Sequence, residues 1–160
     1  MNNEDINTLV SLLDGTEHAV SRLANAAAMI DECLDDVCWV GFYLCDEEGN
    51  LYLGPFQGKP ACIRIKRGRG VCGTALAEDR TEVVPDVREF PGYISCDASA
   101  MSEVVIPMHD RYGNVIAVLD IDSSAVSRFT EDGPAGEEIR ILEKAAECII
   151  FTSGATFPPY

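Results

Sequence analysis

Positively charged residues are scarce in this sequence. Its 160 residues include 12 Lys and Arg against 27 Asp and Glu, a formal net charge of −15. A chain of that sign repels phosphate groups, so we expect neither nucleic acid nor an anionic membrane as a partner. The sequence also lacks an apolar run of the roughly 18 residues that span a membrane. Residues 1–5 show neither the basic nor the apolar region of a secretory signal, so we expect a cytoplasmic location.

Metal-binding motifs are lacking as well. No two cysteines have the C-x2-C spacing, and neither His18 nor His109 is close to a cysteine in the sequence, so we predict no metal site. Yet the chain contains seven cysteines, a large and odd number for a small domain in a reducing compartment. Such cysteines are more often free or transiently oxidised than structurally cross-linked. A function for this protein must therefore explain its thiols.

Hydrophobic periodicity predicts a single α+β domain over residues 1–160. Two helices are predicted within residues 1–36, one from Ile6 to Leu13 and one that starts at the N-cap Thr16. A C-terminal helix within 130–153 starts at the N-cap Thr130, and a tail at 154–160 is expected to fray. Between them, residues 37–128 show period-two alternation, a short helix and a long irregular segment. The strands are predicted at residues 38–44, 51–56, 61–66, 83–84, 103–108 and 115–121. Short connections favour an antiparallel sheet of about six strands with N- and C-terminal helices packed against it.

Alternation separates polar groups from plain hydrophobic ones in several strands. Trp39 and Tyr43 share one face of the first strand, and the glycine between them predicts a hollow. Asp120 and Asp122 point away from the apolar positions of the last strand, which run from Val115 to Ile121. Glu103 opens another strand in the same way. Aromatic walls with several carboxylates suit a small ligand that carries a cation, such as the ammonium of an amino acid.

Crowded carboxylates have a second consequence. They raise one another's pKa, so one of them can stay protonated and serve as a general acid.

The cysteines differ in their predicted surroundings. Cys62 begins a strand, on the face opposite to Ile63 and Ile65. Cys72 lies in the first turn of a short helix, where the helix dipole favours a thiolate. Cys96 lies in the irregular segment 85–100, whose length is typical of functional or mobile loops. The other four are predicted to be inert buried thiols: Cys33, Cys38, Cys45 and Cys148.

Six segments carry a resemblance to a known family. They are WVGFYL at 39–44, GPFQGKPAC at 54–62, GRGVCGTA at 68–75, ISCD at 94–97, SE at 102–103 and LDIDS at 119–123. In this order they closely resemble the free-methionine-(R)-sulfoxide reductases, which are built on a GAF domain. The ordered cysteines at 62, 72 and 96 distinguish this family from sensory GAF domains. Two positions depart from its usual pattern, because Tyr93 stands where histidine is common and Met101 where a polar residue is common.

The resemblance implies a thiol enzyme without a bound cofactor that reduces the R epimer of free methionine sulfoxide. Cys96 would attack and become a sulfenic acid, Cys62 would resolve it as a disulfide, and Cys72 would be an auxiliary or alternative resolver. Thioredoxin would restore the dithiol, and two chains would pair through their terminal helices as a homodimer. The substrate pocket would have aromatic walls and acids at these positions: Trp39, Tyr43, Glu103, Asp120 and Asp122.

Two other functions remain open from the sequence. One is a GAF module that binds a small ligand without converting it. The other is an oxidant sensor in which a disulfide between Cys96 and Cys62 is itself the signal.

Overall fold

A computed structural model describes residues 1–15, 18–96 and 98–151 of the chain. The helices are α1 (Asn3–Leu13), α2 (Ala19–Cys33), α3 (Gly70–Glu78) and α4 (Gly133–Phe151), with a 3-10 turn at Val87–Glu89. The strands are β1 (Trp39–Cys45), β2 (Leu51–Gly58), β3 (Arg64–Ile65), β4 (Glu82–Val84), β5 (Ser102–His109) and β6 (Val115–Ser123). The predicted cap Thr16, Asp97 of the ISCD segment and the tail at 154–160 lie outside the described residues.

The six strands form one sheet in the order β3-β2-β1-β6-β5-β4, and every neighbouring pair is antiparallel. This arrangement confirms the predicted α+β fold. Both faces of the central strands are covered, which is why they are rich in branched and aromatic residues. Within the described part of the chain, no helix has the length and apolar character needed to cross a membrane.

The larger core lies between the sheet and helices α1, α2 and α4. Val40, Phe42 and Leu44 of β1 face this core, together with Leu119 and Ile121 of β6. The opposite face of the sheet is covered by the short helix α3 and carries a second cluster that includes Trp39 and Tyr43. Alternation in β1 therefore assigns these side chains to the faces that were predicted.

The predicted helix details are wrong at two positions. The helical spacing of the apolar residues from Val20 to Leu34 predicts a buried Val20, but this side chain is 55% exposed. The buried face of α2 is centred instead on residues such as Ala19, Arg22 and Leu23. Thr130 is not a cap, since α4 begins three residues later. Gly133 has a φ of 65°, and the following proline then starts the first helical turn.

Two predicted strand details are also wrong. β3 is only two residues long, so Cys62 precedes it instead of beginning it, and Ile63 is 73% exposed. A register shift between Met108 and His109 rotates the start of β6. Val115 consequently packs against the second cluster, away from the core that Ile121 faces.

Candidate active site

A disulfide joins Cys62 to Cys96 beside the α3 face of the sheet. The two residues are 34 positions apart, and their Cα atoms are separated by 5.4 Å, an ordinary distance for such a bond. Cys62 lies in the connection between β2 and β3, and Cys96 in the irregular segment before β5. The bond therefore ties the long loop to the far edge of the sheet, and it pairs the two cysteines that the resemblance singled out.

Three acidic side chains and a thiol meet under α3. Sheet register brings Glu103 opposite Asp122 and Val105 opposite Asp120, so the three carboxylates share one face. Glu103 and Asp120 are only 5% and 6% exposed. Cys72, in the first turn of α3, places its Sγ 3.2 Å from Asp120 Oδ2 and 4.0 Å from Glu103 Oε1. The fold thus places the three acids of β5 and β6, called the acid cluster below, against the thiol of α3.

Burial decides which of these groups carries a proton. It raises the pKa of Glu103 well above its usual range, and repulsion from Asp120 and Asp122 adds to the rise. The pKa of Asp120 is raised by burial to about 7, against the lowering effect of hydrogen bonds from Cys72 and Glu103. Near neutral pH, the cluster accordingly holds Glu103 as a neutral acid that donates to Asp120.

Cys72 does not carry the thiolate that its helix position predicted. Burial and the neighbouring carboxyl groups of Asp120 and Glu103 raise the pKa of its thiol well above the ordinary value. These effects outweigh the helix dipole, because the thiol is 4% exposed and faces acids instead of water. Cys72 is therefore a neutral hydrogen-bond donor to Asp120.

A narrow cavity connects the disulfide to the acid cluster. It is lined by Cys96, the three acids, Cys72, Tyr93, Ile94 and Ile65, and by Arg69, Gly70 and Val71 at the start of α3. Its volume of about 20 Å³ has room for roughly one water molecule. With the disulfide formed, the loop around Tyr93 thus closes the site.

Comparison with known proteins decides the family. The GAF domain model matches residues 14–149. The chain is 43% identical to the free methionine-R-sulfoxide reductase of Escherichia coli, covering 94% of this chain and 87% of that protein. Its identity with the reductase of the same name from Saccharomyces cerevisiae is 44%, over 86% and 77% of the two chains. The chain belongs to the free methionine-R-sulfoxide reductase family.

A solved member of this family has the same fold. The X-ray structure of free methionine-R-sulfoxide reductase from Neisseria meningitidis, in complex with its substrate, superposes with a TM-score of 0.77 at 39% identity. The match covers 93% of each chain. The recognition made from the six sequence segments is therefore confirmed.

The aromatic residues that the family resemblance assigns to the pocket lie behind the cavity. Trp39 and Tyr43 are 2% and 1% exposed, and their rings stack at 5.9 Å. Phe56 of β2, which sequence reasoning missed, stacks on the other side of Trp39 at 5.3 Å. The predicted hollow over Gly41 is filled, because a Cβ there would meet the Trp39 ring and Phe56. The assignment of both aromatics as pocket walls stays a prediction.

The cavity includes residues that the site prediction did not name. Arg69 and Ile94 both belong to the segments that carry the family resemblance, so the signal was present in their position beside Cys72 and Cys96. Tyr93 was noted only as a departure from the family. It is half-buried in the cavity wall, and burial together with Glu103 raises the pKa of its hydroxyl.

Three side chains under α3 lie close enough together to be considered as ligands of a metal ion. The ligand atoms of Cys72, Glu103 and Asp120 lie within 4.8 Å of one another. Binding a cation there would require Cys72 and Glu103 to release protons that burial makes difficult to remove. These three side chains are better suited to holding a proton than a metal ion. The prediction of no metal site stays a prediction.

The remaining four cysteines are half-buried, not buried as predicted. Burial nevertheless raises the pKa of Cys33 and Cys148, and raises that of Cys45 to about 11. A thiol with such a pKa carries little thiolate at neutral pH and reacts slowly.

Proposed function

We propose that this protein reduces free methionine-(R)-sulfoxide to methionine, with Cys96 as the attacking thiol and Cys62 as the resolving one. The observation that carries the proposal is the Cys62–Cys96 disulfide, which opens on a cavity whose other wall is a buried, protonated acid. The names of the E. coli and yeast relatives support the same reaction. So does the N. meningitidis structure, which is described as a complex with its substrate.

The first step transfers the sulfoxide oxygen to Cys96. The Cys96 thiolate attacks at the sulfoxide group while Glu103 supplies a proton to the oxygen. The sulfur–oxygen bond of the substrate breaks, methionine leaves, and Cys96 becomes a sulfenic acid. The substrate sulfur gains the two electrons that the Cys96 sulfur loses. Glu103 suits this role because its raised pKa keeps a proton available at neutral pH.

The second step forms the disulfide. The Cys62 thiol attacks the Cys96 sulfenic acid and displaces the oxygen as water, which gives the bond seen in the structure. Thioredoxin then returns two electrons and two protons by dithiol exchange, without a cofactor bound to this chain. We expect this thioredoxin-dependent cycle to run in the cytoplasm. Cys72 is proposed as an alternative resolving cysteine, which would attack the Cys96 sulfenic acid in place of Cys62.

The acid cluster explains why the substrate is a free amino acid. A free substrate brings an α-ammonium group that can pair with Asp120 and Asp122, and Asp120 Oδ1 is a buried acceptor that lacks a hydrogen-bond donor among the described residues. Methionine within a peptide has no such ammonium, so it would leave the buried charge unpaired. A loss of that kind costs a few kcal/mol, roughly 10²-fold or more in specificity.

Turnover with thioredoxin, thioredoxin reductase and NADPH tests the proposal. Four substrates are compared: free methionine-(R)-sulfoxide, its S epimer, and the peptide-bound form of each. We expect conversion of the free R epimer alone. Cys96→Ser should lower kcat by at least about 10³-fold, because the nucleophile is lost. Cys33→Ser, which changes a half-buried thiol on an outer helix, is the matched control and should keep full activity.

The same assay separates the other functions. A Cys96→Ser protein with undiminished activity would refute the mechanism. Tight binding of the sulfoxide without conversion would indicate a ligand-binding module. Reversible formation of the disulfide by peroxide, with no sulfoxide reduction, would indicate an oxidant sensor.

A further inference from the structure

We propose that Arg69 binds the α-carboxylate of the amino-acid substrate, an inference that rests on the proposed function. A free amino acid is a zwitterion, so a site that admits it must neutralise both ends. The three acids of the cavity can neutralise only the ammonium end. The structure must therefore supply a positive group for the other end, and among the residues that line the cavity Arg69 is the cation.

Arg69 is available for such a contact. Its side chain is exposed and forms no ion pair or hydrogen bond with another described residue. Other arginines are already paired: Arg64, Arg80, Arg88 and Arg128 each contact a carboxylate. An arginine that lines a cavity with three acids and yet pairs with none of them, in a chain of net charge −15, keeps its guanidinium available for an anionic group of a ligand.

The backbone around Arg69 is held firmly. Its N–H donates to Lys66 O at 3.1 Å, and its carbonyl accepts from Gly73 N at 3.2 Å. Gly68 N donates to Gly73 O at 2.7 Å across the same turn. A well-held backbone limits the positions that the guanidinium can reach and reduces the entropy lost when it binds a ligand.

The start of α3 adds to the positive end of the cavity. Gly70 and Val71 line it, and the helix begins without a side-chain cap. Amide groups at a helix N-terminus carry partial positive charge and commonly bind carboxylates. A planar guanidinium beside such amides matches a carboxylate in shape and charge. The substrate would thus lie with its ammonium on β5 and β6 and its carboxylate on α3.

The test compares two substrates that differ only in the carboxylate. Free L-methionine-(R)-sulfoxide and its α-amide both keep the ammonium and the sulfoxide, but the amide lacks the negative charge. We expect the unmodified protein to prefer the acid by about 10- to 100-fold in kcat/KM, the usual value of one charge-assisted contact. Arg69→Gln should remove this preference by raising KM for the acid, and should change the amide by no more than about twofold. Arg69→Lys should restore part of the preference for the acid, since lysine keeps the positive charge but lacks the paired N–H donors of the planar guanidinium.

Arg67→Gln is the matched control. Arg67 belongs to the same turn and is exposed, but its Nη2 donates to Ala77 O of α3 at 3.3 Å, and it does not line the cavity. We expect this variant to keep the full preference for the acid. An Arg69→Gln protein with an unchanged acid-to-amide ratio overturns the inference, including the case where both substrates lose activity together. Failure of the unmodified protein to reduce either substrate would instead refute the proposed function itself.

Discussion

The carboxyl group of Asp120 links stability to pH. Its pKa is raised by burial to about 7 in the folded protein, against about 4 for an ordinary aspartate. Between these values the folded state binds a proton that the unfolded chain has released, so stability falls as pH rises from about 4 to about 7. Asp120→Asn removes this pH-dependent fall in the free energy of unfolding, because asparagine does not titrate. We expect the variant to gain roughly 2–4 kcal/mol relative to the unmodified protein over that interval, measured by urea unfolding at each pH.

Asp110→Asn provides a control with the opposite sign. Hydrogen bonds from Asn114 lower the pKa of Asp110, so this exposed carboxylate adds stability once the pH exceeds its usual pKa. Its removal should reduce stability at neutral pH and leave the decline between pH 4 and 7 in place. Parallel pH profiles for Asp120→Asn and the unmodified protein would show that Asp120 titrates normally.

Among the structural elements, the irregular segment between β4 and β5 is expected to control access to the site, because Tyr93, Ile94 and Cys96 line the cavity. The closed cavity has a volume of about 20 Å³, far below the hundreds of Å³ typical of a ligand pocket. Substrate entry therefore requires Tyr93 and Ile94 to move away from the acid cluster. We expect the disulfide to prevent this movement, because it fixes Cys96 to Cys62. Ile94, Ser95 and Cys96 have no backbone hydrogen bonds to other described residues that would hold them once the disulfide is reduced.

Hydrogen exchange can detect this opening. We expect faster exchange at residues 90–96 in the reduced protein than in the oxidised one, and slower exchange again when methionine is added to the reduced form. Residues 139–149 of α4 contribute to the core on the other side of the sheet and should exchange equally in both states. Equal exchange at residues 90–96 in the two redox states would contradict the role of the disulfide as a closure.

Sequence periodicity worked best for elements whose two faces are both buried. In β1, the residues Val40, Phe42 and Leu44 alternate with Trp39 and Tyr43 between two distinct clusters, so period two is visible without any tertiary knowledge. It failed at residues 61–66, where the β2–β3 ladder contains only the pairs of Ile65 and Arg64. Where pairing stops, alternation no longer determines which side chains are buried.

At the scale of the whole molecule, long-range contacts lie beyond what periodicity can predict. Arg22 is 1% exposed and donates to Leu13 O and Ile149 O, which joins the ends of α1 and α4 to α2. No local sequence pattern predicts that an arginine will be buried and will donate to backbone carbonyl groups. The acid cluster was different, because Glu103 and Asp120 were each visible as a polar residue on an otherwise apolar strand. Their shared proton and the neutral state of Cys72 depend on burial, which only the folded chain determines.

The predicted homodimer requires a surface on the helices through which two chains can pair. Leu12 is 45% exposed on α1 and, with Ala28 and Met29 of α2, lines a groove between the two helices. We expect two copies to bury this surface, because the exposed Leu12 and the neighbouring Ala28 and Met29 gain free energy when water is excluded. Asp5 and Glu32 also line the groove, so added salt should strengthen the pairing by screening their repulsion.

Sedimentation velocity at two salt concentrations measures this pairing directly. We expect a homodimer that Leu12→Asp converts to a monomer, since the new charge would be buried against like charges. Val126→Asp is the matched control, because Val126 is similarly exposed at 44% but follows β6 and does not line this groove. It should leave the dimer intact. A monomeric unmodified protein, or a dimer that survives Leu12→Asp, would show that this face of the helices is not the interface.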